Sequence, residues 1–91
     1  MRSYVESDRA ELAMKPVLAG YAHDAWSGWM KYLFEKSNEN TDGTVTIPKW
    51  AVDRWKRQAS TKYQELSNEE KGSDLREAEK IISIMHGFGF Y

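Results

Sequence analysis

Residues 16–36, PVLAGYAHDAWSGWMKYLFEK, set Leu18, Ala22, Ala25, Trp26, Trp29, Met30 and Leu33 at the three-and-four spacing of one helical face. Pro16 suits the first helical position, where a missing N–H costs nothing. Gly20 and Gly28 each weaken a helix by about 1 kcal/mol relative to alanine, so close packing against a neighbour is the expected compensation. Upstream, residues 3–14 carry Tyr4, Val5, Leu12 and Met14 among charges in a weaker pattern. The chain thus divides into an N-terminal arm or short helix over residues 1–15 and one helical domain over residues 16–91.

Downstream of the long helix, SNENTDG (residues 37–43) concentrates side chains that compete for backbone hydrogen bonds, and Asp42 with Gly43 marks a tight turn. Residues 44–47, TVTI, favour extended backbone, but a four-residue strand without an evident partner reads as an extended linker. Pro48 then opens a short basic helix, KWAVDRWKRQA, with Trp50, Ala51 and Trp55 near one face. Ser67 precedes Glu70 by three positions, a capping box that starts a third helix running to about His86. Its apolar stripe is Leu75, Ala78, Ile81, Ile82 and Met85, and its first turns are acidic, in accord with the helix dipole. The expected fold is all-α: a small three- to four-helix domain with a long central helix, a short basic helix and an acidic capped C-terminal helix. Its expected core is Leu18, Trp26, Trp29, Met30, Leu33, Trp50, Trp55, Leu66, Leu75, Ala78 and Ile82. The glycines of the ending, HGFGFY, terminate the last helix and leave three aromatic rings to dock or to protrude.

Ninety-one residues make one module. The absence of cysteine removes disulfides, thiolate metal sites and thiol nucleophiles, and fits a reducing compartment, so the cytoplasm is the expected location. No apolar run approaches the ~20 residues of a membrane span, and the N-terminus is too acidic for a signal peptide, so no membrane partner is expected. The net charge of −1 argues against a strongly basic nucleic-acid binder. Charge is nevertheless uneven, with a basic stretch from Lys49 to Lys62 facing an acidic one from Glu65 onward.

The run TKYQELSNEEKGSDLREAEKII, with Tyr63, Leu66, Glu70, Lys71, Asp74 and Ala78, resembles the second half of a ryanodine-receptor repeat domain, the RyR domain. The segment AHDAW, residues 22–26, is similar to the histidine-and-tryptophan segment of that module's first helix, and HGFGF to its glycine-aromatic ending. The family's glycine-tryptophan-x-tyrosine-glycine segment is missing, and IPKW stands in the place of its histidine-proline pair. The layout also resembles small helical proteins of bacteriophages and prophages, for which the cytoplasm would be the host's. The RyR resemblance implies recognition of a small, nucleotide-derived ligand without catalysis.

The residues themselves bear on the same question. Zinc needs three or four ligands, whereas the inventory offers His23, His86 and carboxylates, with neither histidine at helical spacing from the other. His23 and Asp24 are adjacent and point about 100° apart on a helix, so they form no dyad. No nucleophile elbow or phosphate-cradling glycine loop is present, and neither enzyme activity nor a cofactor is expected. A small anionic ligand calls for an aromatic face to stack on a ring and an arginine to fork a phosphate or carboxylate. Trp26, Trp50, Arg54, Arg57, Tyr63 and His23 are the candidates. A nucleic-acid-associated role would use Lys49, Arg54, Lys56 and Arg57. A protein-binding adaptor or inhibitor, or a homo-oligomer, would draw on the aromatic tail, Phe88, Phe90 and Tyr91.

Overall fold

The computed structural model describes residues 4–90, with side chains from residue 8 onward. It is mostly helical, in the order α1 (Tyr4–Lys36), β1 (Asn38–Glu39), β2 (Val45–Thr46), α2 (Lys49–Ala59), a 3-10 turn (Tyr63–Glu65) and α3 (Asn68–Gly87). The domain is all-α in class, with one small hairpin.

α1 is a single helix of 33 residues that runs through Pro16 rather than starting there. Residues 4–15 are rich in glutamate, alanine, leucine, methionine, lysine and arginine, and this propensity carries the helix across a proline that removes one interior hydrogen bond. The segment read as an arm or short helix therefore supplies, from Tyr4 on, about the first third of the long helix. Neither Gly20 nor Gly28 is packed against a neighbour: a Cβ at either would meet nothing within 4 Å. The close packing expected to compensate them is absent among the described residues.

Residues 44–47 are not an unpaired linker. Val45 and Thr46 pair antiparallel with Glu39 and Asn38. The turn imposes this pairing: the Gly43 N–H donates to the Asn40 carbonyl at 3.1 Å, Gly43 sits at φ 88°, and the Asn40 N–H donates to the Thr44 carbonyl at 2.8 Å. Positive φ is the reason for glycine in this hairpin loop. Asp42 Oδ1 accepts from the Thr44 N–H at 3.0 Å and from its hydroxyl at 2.6 Å, and the hydroxyl bond is the main cause holding the Asp42 carboxyl below its ordinary pKa. Asn38 and Glu39 have weak strand preference, so no pattern in the sequence marks them as the partner strand.

Both remaining helices start where their caps lie. Pro48, extended at ψ 152°, is the N-cap of α2, and its carbonyl accepts from the Ala51 and Val52 N–H groups. At α3 the Ser67 hydroxyl accepts from the Glu70 N–H at 3.2 Å while Glu70 Oε1 accepts from the Ser67 N–H at 3.3 Å, the reciprocal capping box. α3 ends in a Schellman motif: the Phe90 N–H reaches the Met85 carbonyl and the Gly89 N–H the His86 carbonyl, with Gly89 at φ 84°. This turn brings Phe88 and Phe90 back to half-buried positions, so they do not protrude. Tyr91 lies outside the described residues.

α1 packs against α3. The half-buried positions of α1 include Ala10, Met14, Leu18, Tyr21 and Ala25, and those of α3 include Glu77, Ile84 and Met85, with Phe88 just past its end, each set at helical spacing. The core is smaller than the sequence leads one to expect. Leu18, Met30, Leu33, Trp55 and Leu66 are half-buried, but Trp26 (55% exposed), Trp29 (60% exposed), Trp50, Leu75, Ala78 and Ile82 are exposed. Leu75, Ala78 and Ile82 lie about a third of a turn round α3 from the covered face. The reason is overall shape: the helices spread over 58 × 34 × 17 Å with a radius of gyration of 18.2 Å, against about 12 Å for a compact domain of this length. Ala51, on the inner face of α2, is fully buried. Ala51→Leu is expected to lower stability by about 1–3 kcal/mol through overpacking, read as a lower urea midpoint at unchanged slope.

Candidate functional site

Where the C-terminal part of α1, the middle of α2 and the first turns of α3 meet, they enclose an open groove of ≈ 930 Å³. α1 contributes Trp29, Met30, Tyr32 and Leu33; α2 contributes Arg54, Trp55, Gln58 and Ala59; α3 contributes Glu69, Glu70 and Ser73. The volume is that of a site for a drug-sized molecule.

Aromatic contacts and one ion pair position its walls. The Tyr32 and Trp55 rings lie 6.2 Å apart at 58°, joining α1 to α2, and Trp50 meets Trp55 edge-on at 6.4 Å. Lys36 Nζ stands 5.6 Å from the Tyr32 ring centroid. On the other side Arg57 donates from Nη2 to Glu70 Oε2 at 2.9 Å, joining α2 to α3. Glu70 is buried at 7% exposure and also accepts from the Ser67 hydroxyl at 2.9 Å. The Arg57 guanidinium first, and the Ser67 hydroxyl second, hold the Glu70 carboxyl below its ordinary range.

Of the ligand candidates, the structure places only Arg54 in the groove lining. Arg54 makes no ion pair among the described residues, so its guanidinium is available beside Trp55. Arg57 stands at the edge, committed to Glu70. His23 and Trp26 stack on each other at 6.0 Å on the exposed middle of α1, with Ser27 Oγ 3.4 Å from His23 Nε2. Tyr63 is on the 3-10 turn with Lys71 Nζ 5.9 Å from its ring centroid, and Trp50 backs Trp55 from outside the lining. The rings that line the groove are Trp29, Tyr32 and Trp55, whereas Trp26, Trp50 and Tyr63 lie outside its lining. The missed signal was the three-residue spacing of Trp29 and Tyr32, which puts both on one helical face. Trp55 reads from the sequence as a core residue and also lines the groove.

The basic set does not form one surface. Lys49 pairs with Asp53 at 2.5 Å and Arg57 with Glu70, while Arg54 and Lys56, two residues apart, point to different sides of α2. Among the described residues no group of three histidine, cysteine, aspartate or glutamate side chains is placed to hold a metal ion. No described helix is long and apolar enough to cross a membrane. Comparison of the chain with family models, curated proteins and solved structures returns no match.

Proposed function

We propose that this chain is a non-enzymatic binding module whose inter-helix groove takes a small anionic ligand bearing an aromatic ring, nucleotide-like in chemistry. The observation that carries this reading is the uncommitted Arg54 guanidinium lining a groove together with Trp29, Tyr32 and Trp55. A ring stacks on the indole or phenol faces while Arg54 forks the phosphate or carboxylate. The resemblance to the RyR domain points to the same ligand class, and a sensor or sequestering role in the cytoplasm follows from binding without chemistry. Two ion-paired cations in α2 weigh against the nucleic-acid alternative, which needs several free cations on one face.

Thermal unfolding against mononucleotides, cyclic dinucleotides, ADP-ribose compounds and a short DNA duplex tests the proposal. A native-state ligand at about 100 times its Kd adds about 2.7 kcal/mol of stability. One nucleotide class is expected to raise the Tm, with the shift lost in Arg54→Ala and kept in Lys49→Ala. A shift with DNA alone, falling steeply between about 50 and 200 mM salt, would transfer the role to nucleic acid. No shift with any compound refutes the small-ligand reading.

A further inference from the structure

α1 carries a second apolar face that none of the described residues covers. Leu12, Pro16, Ala19, His23 and Trp26 recur at spacings of four, three, four and three, and all five are exposed, Leu12 to 68%. At 100° per residue this stripe lies on roughly the opposite side of α1 from Met14, Leu18, Tyr21 and Ala25, which are half-buried. Alternating four-and-three spacing is the seam of a helix that packs on another helix.

We infer that the occupant of this face is the same face of a second copy of the chain, giving a two-fold symmetric dimer. The surface area points to a partner of this size. The chain exposes 7481 Å², whereas a folded monomer of 10.6 kDa exposes about 5,500 Å² by mass scaling. The excess of about 2,000 Å² belongs to the whole chain, of which the stripe is one part, and is of the order that each partner of an obligate dimer buries, roughly 1,000–2,500 Å². A two-fold pair of helices is self-complementary, and the antiparallel arrangement sets large residues against small ones. With the axis near residue 21, Trp26 faces the partner's Pro16 and His23 faces the partner's Ala19. A parallel pair would instead oppose two tryptophans in one layer and two histidines in another. None of the five stripe residues lines the Arg54 groove, although the same register sets Leu12 opposite the partner's Met30 at the groove's edge, and the dimer test needs no ligand.

Sedimentation equilibrium and melting over a range of protein concentrations test the dimer on the unaltered chain. The expected mass is twice that of the chain, and the expected Tm rises with concentration. Leu12→Glu and Trp26→Glu should each yield monomers, while Val17→Glu, an apolar residue exposed on a different side of α1, should leave the dimer intact. A chain that stays monomeric with a concentration-independent Tm overturns the inference, as does a dimer that survives Leu12→Glu and Trp26→Glu or is lost equally in Val17→Glu. If the glutamate variants unfold, the concentration dependence of the unaltered chain still decides. Spin labels on Arg9→Cys read the orientation: the antiparallel pair separates the labelled backbone positions by about 36 Å along the helix axis, at 1.5 Å per residue, and a short distance overturns that arrangement.

Discussion

Trp55→Ala is expected to remove about 3 kcal/mol of folding stability, the lower end of the range for truncating a buried aromatic, because part of the ring is open to solvent. The indole is the joint between α1 and α2: it meets Tyr32 on one side and Trp50 on the other, and each such ring pair contributes about 0.5–1.5 kcal/mol beyond its buried area. In a domain of this length the loss corresponds to a fall in Tm of roughly 12 °C or more. Trp29→Ala is the comparison. At 60% exposure Trp29 should cost less than about 1 kcal/mol, although both rings line the groove and both substitutions should weaken ligand binding. Equal destabilisation by the two variants in parallel thermal melts would show that Trp55 is not the joint.

The second large effect centres on Glu70, which closes the α3 capping box and receives Arg57 from α2. Glu70→Gln keeps the shape of the side chain but loses the charge-assisted bond, and should lower the Tm by several degrees at neutral pH. The sign of the pH dependence follows from the depressed carboxyl. A group whose folded pKa lies below its unfolded value stabilises fully above the unfolded value, and that contribution is lost as pH falls through the folded one. The wild-type Tm should therefore drop below the ordinary glutamate range more steeply than that of Glu70→Gln, and the two should converge in acid. Asp42, held low by Thr44, contributes in the same direction at the hairpin, so Asp42→Asn in both backgrounds isolates the Glu70 component. Parallel melting curves with no convergence in acid would remove Glu70 from the link between α2 and α3.

Much of the local structure was legible because its causes lie within a few residues. Ser67 and Glu70 announce the start of α3, Asp42 and Gly43 the turn, Pro48 the start of α2, and the glycines of HGFGF the end of α3. The opposition of a basic stretch and an acidic one was also legible, and the structure realises it as the Arg57–Glu70 pair across 13 positions. The start of α1 was not, because helix propensity summed over residues 4–15 outweighed the local signal of Pro16. The groove was legible only in its chemistry. Arginine and aromatic rings do line it, but which rings, Trp29, Tyr32 and Trp55 rather than Trp26, Trp50 and Tyr63, depends on where α2 docks.

The sequence by itself determined the all-α class, the caps and turns that bound α2 and α3, and the apolar faces of the helices. Only the tertiary structure decided which of those surfaces are covered. Helical periodicity records that a face is apolar, but α1 has two such faces, and periodicity is blind to whether a face is answered by another helix of the same chain. Met14, Leu18, Tyr21 and Ala25 are half-buried, whereas Leu12, Pro16, Ala19, His23 and Trp26 are left open. The cause is length: α1 at 33 residues outreaches the 11 residues of α2 and the 20 of α3, which are too short to wrap it on both sides.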